Sequence, residues 1–362
     1  MNLSDLGWSP LLAKHLAKLG REGLTPARVT REEKLSYLVC CERGELAAEL
    51  AGRLRHEAAT RSDLPAVGDW VAVDARPDEG KATVHAVLPR KSSFSRKVPG
   101  GGRTEEQVVA ANVDTVFLVS GLDGGRSFNL RRIERYLAVA WDSGADPVIV
   151  LNKADMCDDV DACVEQAEAI AFGVPVHAVS ATRREGLAAL ERYLAGGATV
   201  ALLGLSGVGK TTLVNSLIGT DLAVAEVRED DRRGRHTTTH RELIVAPGRG
   251  VVIDTPGMRE LQLWADEEGL GTAFEDVEAL AARCRFTDCR HRTEPGCAIR
   301  TALDDGTLES ARWQSYVKLQ KELRYLERRQ DHRARMIERD KWKRITMANR
   351  KRTRHNEKGG TR

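Results

Sequence analysis

The octapeptide GLSGVGKT at residues 204–211 is the feature that most restricts the fold of this 362-residue chain. It follows the apolar run TVALL and opens the amphipathic run KTTLVNSLIG, so it joins a strand to a helix. Its spacing fits G-x-x-x-x-G-K-[ST], a loop whose backbone N–H groups surround a phosphate. Such loops form at the carboxyl end of a parallel strand, and the sequence therefore predicts an α/β sheet.

Strands and helices alternate on both sides of this loop, from about residue 108 to residue 260. The strand candidates are DTVFLVSGL, DPVIVLN, VPVHAVSA, VALLGLSG, ELIVAP and GVVIDTPG. The further helix candidates are LRRIERYLAVAWDSG, ACVEQAEAIAFG and GLAALERYLAG. This alternation predicts a doubly wound parallel sheet, with ligands outside the carboxyl ends of its strands.

Each residue type in the phosphate loop has a chemical role. Gly204, Gly207 and Gly209 let the backbone turn inward without Cβ clashes, and the helix N-terminus adds a partial positive charge. Lys210 is expected to reach the β- and γ-phosphates, and the Thr211 hydroxyl is expected to bind Mg²⁺. The loop is therefore a nucleotide site that does not by itself separate ATP from GTP.

The tetrapeptide NKAD at residues 152–155 supplies that distinction. The Asp155 carboxylate can accept the N1–H and N2–H₂ groups of guanine, a pair of donors that adenine lacks. Asn152 could bond the base edge or hold the phosphate loop, and the Lys153 stem could pack over the ring. Ser180 and Ala181 end the next strand, where the Ala181 N–H could meet guanine O6. These residues predict a site for GTP and GDP.

The motifs stand in an unusual order. In most GTPases the base-reading motif follows the phosphate loop, whereas here residues 152 and 180 precede residue 204. DTPG comes last, where Asp254 could hold the Mg²⁺ shell and the Gly257 N–H could sense the γ-phosphate. Joining the ordinary termini and cutting in another loop gives this order without changing the sheet. The sequence therefore predicts a circularly permuted P-loop GTPase.

The segment REDDRRGRHTTTHREL, between the phosphate loop and DTPG, is expected to act as a switch. Thr238 or Thr239 would complete the Mg²⁺ shell. In many GTPases a glutamine after D-x-x-G orients the attacking water, but this position is Met258. His236 or His240 could position water instead; His236 is the candidate catalytic residue, and simple solvation is its alternative. We therefore expect slow intrinsic hydrolysis that a partner accelerates by ordering the switch.

The run CRFTDCRHRTEPGC contains a second cluster, with the spacing C-x4-C-x-H-x5-C. Its members are Cys284, Cys289, His291 and Cys297. Three thiolates and an imidazole suit tetrahedral Zn²⁺, and four protein ligands leave no open position. We therefore expect one structural zinc per chain, with free thiols as the alternative. The remaining cysteines, Cys40, Cys41, Cys157 and Cys163, are expected to be reduced.

Charge is unevenly distributed, although the formal net charge is only +3. Residues 312–362 hold 18 Lys/Arg and 6 Asp/Glu, so they carry +12 and the rest carries −9. A basic tail predicts a polyanionic partner, with a merely solvated helix as the alternative. Phosphate contacts are expected from Arg328, Arg329, Arg333, Arg335, Lys341, Lys343 and Arg344.

No apolar run reaches the length of a membrane span, which favours a cytoplasmic protein without a membrane partner.

Two further segments have recognisable patterns. Short strands and turns after residue 37, such as DWVAVDARPDEG, predict a small β-barrel. A basic stretch at its end could bind RNA and stack a base, or it could be an ordinary surface strand. Its residues are Arg90, Lys91, Phe94, Arg96 and Lys97. Helical spacing predicts core packing against the zinc cluster by Trp313, Tyr316, Leu319 (or Gln320) and Leu323.

Together, the permuted order, GLSGVGKTTLVN, GRHTTT, DTPGMRE and the Cys/His spacing resemble the ribosome small-subunit-dependent GTPase A family. PAVGDWVAV and SSFSRK are similar to its amino-terminal barrel, so the resemblance covers nearly the whole chain. It implies a multidomain α/β protein with an OB-fold barrel, a circularly permuted P-loop GTPase and a helical zinc-binding carboxy-terminal domain. It extends GTP binding to Ala154, Leu205, Ser206, Val208 and Thr212.

The resemblance also implies a task and partners. The protein would bind the 30S subunit and 16S rRNA as a monomer and act in late small-subunit maturation. It would hydrolyse GTP to GDP and phosphate when the subunit stimulates it. A translation-control or signalling GTPase with another partner is one alternative, and an RNA-binding structural protein with a non-catalytic nucleotide site is another. The expected domains are a lead-in (1–36), the barrel (37–105), the GTPase (106–274), the zinc domain (275–345) and a basic disordered tail (346–362).

Overall fold

The computed structural model describes residues 2–33, 36–100, 103–125, 127–219, 242–246, 248, 250–254 and 267–325. Its strands are β1 (Thr25–Glu32), β2 (Tyr37–Cys41), β3 (Gly44–Leu50), β4 (Trp70–Arg76), β5 (Lys81–Val87), β6 (Ser93–Gly100), β7 (Arg103–Ala111), β8 (Thr115–Gly121), β9 (Asp146–Asn152), β10 (Val176–Ala178), β11 (Thr199–Leu203), β12 (Glu242–Ala246) and β13 (Gly250–Asp254).

The α-helices are α1 (Pro10–Lys18), α2 (Gly52–Glu57), α3 (Leu130–Ser143), α4 (Val160–Glu168), α5 (Ala188–Glu191), α6 (Lys210–Ile218), α7 (Glu267–Ala273), α8 (Glu275–Ala281) and α9 (Ala298–Asp304). A further helix, α10, covers residues 310–325. Short 3₁₀ helices lie at Leu3–Leu6, Arg61–Asp63, Pro77–Glu79, Ala154–Met156 and Arg192–Gly197. Within the described ranges, no helix has the length and apolar character needed to cross a membrane.

Strands β1 to β5 close into a barrel, because β1 pairs with both β2 and β4 while β3 pairs with β5. Its interior is apolar and includes the fully buried Val29, Val39 and Val84. The barrel starts at Thr25, inside the segment that the sequence predicted to be a lead-in. Three charged residues in TPARVTRE hide the apolar alternation that would have indicated a strand.

The second half of the large sheet has the order β10-β9-β8-β11-β13-β12. The pairs from β10 to β13 are parallel, as predicted. Strand β12 is antiparallel to β13, which corrects the expectation of an all-parallel sheet. Since β12 ends at Ala246 and β13 begins at Gly250, the connection has no room for a crossover helix.

Helices cover both faces of this sheet. On one face Leu118, Ile149 and Ile253 pack in the same buried cluster as Leu137 of α3 and Phe274. A second cluster on the other face contains Val119, Val150 and Leu202 together with Leu213 of α6. The alternation along each parallel strand therefore divides its apolar side chains between two helical layers.

The C-terminal helices are held on α3 by a buried arginine. Arg312 of α10 is 4% exposed, and its guanidinium contacts both carboxylate oxygens of Asp276 at 2.6 and 2.7 Å. It also donates to Glu134 Oε1 of α3 at 3.1 Å. The predicted apolar face of this helix is confirmed, since Tyr316, Leu319 and Leu323 are all buried.

Arg28 of β1 connects the barrel to the rest of the chain, and it is 1% exposed. Its Nη2 donates to Thr199 Oγ1 of β11 at 2.8 Å, and its Nε donates to the Gly68 carbonyl at 3.2 Å. Further bonds go to the carbonyls of Leu6 and Asn112. Burial lowers the pKa of Arg28 to about 10, against the opposing charges of Asp114 and Asp69. The guanidinium is therefore charged at neutral pH.

We expect Arg28→Met to lower the free energy of unfolding by about 3–5 kcal/mol, because it leaves the buried carbonyls of Leu6, Gly68 and Asn112 without their donor. Urea denaturation followed by circular dichroism measures this loss. Arg53→Met is the matched control, because Arg53 forms only an exposed pair with Glu57 and its replacement should leave the midpoint unchanged. Equal effects of the two substitutions would contradict the role assigned to Arg28.

Candidate nucleotide site and metal centre

The parallel strands bring the predicted motifs to one edge of the sheet. Strand β8 ends at Gly121, β9 ends at Asn152, β11 ends at Leu203 and β13 ends at Asp254. Ser180 follows β10 after one residue. Because the carboxyl ends of parallel strands lie at the same edge, the base-reading and phosphate-binding segments are neighbours in spite of their order in the chain.

The phosphate loop has the backbone that its glycines predict. Gly207 and Gly209 have φ angles of 80° and 89°, in the left-handed region that favours glycine. A Cβ on Gly204 would lie 2.4 Å from the Val119 carbonyl oxygen of β8. The Lys210 ammonium donates to the carbonyls of Gly204 and Leu205 at 2.9 and 2.6 Å. The loop thus curls over its own lysine at the start of α6.

Asn152 joins the base-reading loops to the phosphate loop, and its side chain is buried. Its Nδ2 donates to the Val208 carbonyl at 2.9 Å, and its Oδ1 accepts from the Ala181 N–H at 3.0 Å. Of the two predicted roles for Asn152, the structure therefore shows the one that holds the phosphate loop. A Cβ on Gly209 would lie 2.4 Å from Asn152 Nδ2, so this close approach requires glycine.

The Ala181 N–H, which the sequence analysis assigned to guanine O6, is thus directed at Asn152. The physical reason is that a buried amide oxygen needs a donor. The Ala181 carbonyl accepts from Ser216 Oγ of α6 at 3.0 Å, and Arg184 donates to the Ser216 carbonyl at 3.1 Å. The loop after β10 is therefore fixed to the helix that follows the phosphate loop.

Asp155 lies at the open side of this arrangement. A hydrogen bond from Ser180, together with the charges of Arg183 and Lys153, holds the pKa of its carboxyl below the ordinary value. Arg183 Nε is 3.8 Å from Asp155 Oδ2. The carboxylate is therefore charged at neutral pH, as an acceptor for two guanine donors must be.

Asp123, two residues after β8, contacts the NKAD motif although no sequence motif indicates it. Its Oδ2 lies 2.6 Å from Lys153 Nζ of the NKAD motif. Leu122 N–H donates to the Asn152 carbonyl at 2.8 Å, so the loop after β8 is also bonded to that motif. Position alone could have indicated Asp123, since it follows a strand whose carboxyl end faces the predicted ligand.

Several predicted site residues lie outside the residues that the structure describes. They are His236, Thr238, Thr239, His240 and Gly257, and the basic tail residues from Arg328 to Arg344. Asp254 is described only as the last residue of β13. Ser206 is exposed in the phosphate loop, and Thr211 and Thr212 are half-buried at the start of α6.

The Cys/His cluster converges as its spacing predicts. The ligand atoms of Cys284, Cys289, His291 and Cys297 all lie within 4.8 Å of one another. Nδ1 of His291 is 3.5 Å from the Sγ atoms of both Cys284 and Cys297, which are 4.0 Å apart. Tetrahedral zinc with Zn–S bonds of about 2.3 Å requires ligand separations of about 3.5–3.8 Å. The donor set fits a tetrahedral metal, and its separations, none above 4.8 Å, lie within about 1 Å of that range.

The surroundings favour a thiolate at Cys284, whereas burial and the neighbouring thiols raise the pKa of Cys289 to about 11. Burial opposes ionisation of Cys284, but hydrogen bonds from the backbone amides of Ile299 and Ala298 bring the pKa of its thiol below the ordinary value. Glu294 fixes the intervening turn by accepting from three backbone amides at 2.8–3.1 Å. Trp313 packs edge-on against His291, with ring centroids 5.5 Å apart. These contacts preset the cluster for a metal.

Two residues of the basic stretch predicted to bind RNA, Arg90 and Phe94, are not free surface groups. Arg90 contacts the buried Asp69 with Nε and Nη2, at 2.8 and 2.7 Å, and also donates to two carbonyls. Phe94 is 1% exposed and packs in the core, so it cannot stack on a base. Lys91 pairs with Asp114, and Arg96 donates to Gln107 Oε1. The prediction was wrong for Arg90 and Phe94, because Arg90 is held by the buried Asp69 and Phe94 faces the core.

Comparison with known proteins agrees with this geometry. Residues 87–264 match the RsgA GTPase family. The chain is 52% identical to the small ribosomal subunit biogenesis GTPase RsgA of Opitutus terrae, over 98% of each protein. It is 46% identical to the small ribosomal subunit biogenesis GTPase RsgA 1 of Oceanobacillus iheyensis, over 97% of this chain and 99% of that protein.

Solved structures show the same fold. YjeQ from Thermotoga maritima is 28% identical with a TM-score of 0.61, over 83% of this chain and 98% of that one. YloQ, described as a circularly permuted GTPase, is 25% identical with a TM-score of 0.60, over 84% of this chain and 96% of that one. By its relatives and by the permuted order of its strands and loops, the chain belongs to the RsgA GTPase family.

Proposed function

We propose that this GTPase acts in biogenesis of the small ribosomal subunit, binding the 30S particle and 16S rRNA as a monomer in the cytoplasm. The position of Asn152 is the observation that best supports the proposed nucleotide site. Its one buried side chain bonds the phosphate loop at Val208 and the base-reading loop at Ala181. The names of the relatives point to the small ribosomal subunit as the place of action.

The arrangement assigns distinct tasks to the site residues. The loop from Gly204 to Thr212 would hold the phosphates, with Lys210 leaving its two carbonyl partners for the β- and γ-phosphates. Asp155 would accept the two guanine donors. Thr211, Asp254 and Thr238 or Thr239 would hold Mg²⁺, which neutralises phosphate charge when bound.

Hydrolysis would depend on the partner. Met258 replaces the glutamine that orients water in many GTPases, so the chain needs another group for that task. We propose that His236 positions the water, with the small subunit ordering the segment that contains it.

The basic tail would contact RNA phosphates, as would exposed arginines of the barrel, such as Arg53 and Arg55 on α2.

The first test is GTP turnover by the purified protein alone, with 30S particles and with 50S particles. We expect about tenfold or greater stimulation by 30S only, because an ordered switch lowers the barrier to attack by water. Stimulation by a different partner would favour a translation-control or signalling GTPase. Binding of GTP and 30S without hydrolysis would favour an RNA-binding protein with a non-catalytic site.

Guanine recognition is tested by Asp155→Asn. The substituted amide would direct N–H₂ at the N2–H₂ of guanine, so we expect KM for GTP to rise about 100-fold. Xanthosine triphosphate carries an acceptor at that position and should become the better substrate. Steady-state kinetics with both nucleotides measure the exchange, and Asp158→Asn, an exposed neighbour in the same loop, is the control. Unchanged preference for GTP would exclude the assigned role of Asp155.

We propose zinc as the metal of the Cys/His cluster, one ion per chain with a structural role. Elemental analysis of the purified protein should find about one equivalent of zinc, and Cys289→Ser should lose most of it, because three protein ligands hold zinc much less tightly than four. Cys157→Ser, outside the cluster, should keep it. Full zinc content in Cys289→Ser would show that this thiol is not a ligand.

A further inference from the structure

The two charged side chains of NKAD are not paired with each other. Lys153 Nζ lies 2.6 Å from Asp123 Oδ2, whereas Asp155 faces Arg183 and accepts a hydrogen bond from Ser180. The structure thus directs the positive and negative ends of one short motif to different partners.

The pair between Lys153 and Asp123 is partly withdrawn from water. The two side chains keep 26% and 19% of their exposure, respectively. The hydrogen bond from Lys153 holds the pKa of the Asp123 carboxyl below its ordinary value, with smaller effects of Gly125 and Ser127. Partial burial and a short contact make this pair less sensitive to screening than a surface pair.

The backbone of Lys153 supports the same orientation. Its φ angle is 63°, in the left-handed region that a lysine rarely adopts. The loop that carries Asp123 is bonded to the preceding residue, Asn152, through the Leu122 N–H at 2.8 Å. Backbone hydrogen bonding therefore holds the loop of Asp123 against the NKAD motif.

We propose that Asp123 is a positioning residue of the guanine site, acting through Lys153. By holding the ammonium, it lays the lysine stem where the base would pack, and it keeps the positive charge away from Asp155. This inference rests on the proposed GTP site and adds to it a residue outside the NKAD motif.

Two consequences follow from losing Asp123. The lysine side chain would regain its rotamer freedom, which must be lost again when the base binds. The ammonium would also be free to pair with Asp155, since its charge already contributes to the lowered pKa of that carboxyl, after the larger effect of Ser180. Both effects weaken binding of the base and neither touches the γ-phosphate.

The test is a double-mutant cycle with GTP kinetics and GDP affinity as readouts. We expect Asp123→Ala to raise KM for GTP and Kd for GDP about tenfold while kcat changes less than twofold. Asp123→Asn, which keeps the size and one acceptor, should give about a threefold rise and serves if the alanine variant folds poorly. Asp158→Ala, an exposed carboxylate in the same region, is the control for net charge.

Lys153→Met supplies the second arm, because it keeps an apolar stem and removes the ammonium. In that background, Asp123→Ala should add less than a twofold further loss of affinity. A full tenfold loss there, or an unchanged KM in the single variant, would overturn the inference. Wild-type protein that fails to bind GTP would refute the proposed function itself, so the two failures are distinguishable.

Discussion

The buried guanidinium of Arg28 is the contact on which the arrangement of the whole molecule depends. It bonds a strand of the barrel to Thr199 at the start of the strand that ends in the phosphate loop. The same group reaches the amino-terminal segment at Leu6 and the segment before β8 at Asn112. A charge buried so deeply needs hydrogen-bond partners, and the four acceptors of Arg28 come from the amino-terminal segment, the barrel and the sheet, so the group favours one geometry between them.

Asn152 connects the loops of the site as Arg28 connects the barrel to the sheet. A circular permutation leaves the base-reading and phosphate-binding loops without their usual sequence relation, but the sheet returns them to the same edge. Asn152 then hydrogen-bonds both loops, through Val208 and Ala181. Ser216 of α6 adds a third hydrogen bond, to the Ala181 carbonyl. The geometry of the site depends on strand order in space, and order in the chain is free to vary.

The sequence predicted what local chemistry determines. The phosphate loop, the strand pattern around it and the Cys/His spacing are local signals, and the parallel pairing around the loop and the convergence of the cluster are confirmed. Pairing across the fold was harder to predict. Arg90 looked like a free cation because its partner Asp69 lies 21 residues away, and Asp123 belongs to no motif that spacing could reveal. Strand β1 was missed because buried Arg28 resembles a surface residue in the sequence.

The pairing of β12 with β1 joins the barrel to the GTPase sheet. Strand β12 would otherwise be the last strand of the GTPase sheet, with a row of unsatisfied backbone groups. Arg31 of the barrel pairs with Glu242 of β12 in both backbone register and side-chain charge. The barrel therefore covers this edge at Glu242, the first residue of β12. Removing the barrel would expose this end of the GTPase sheet to pairing with another chain.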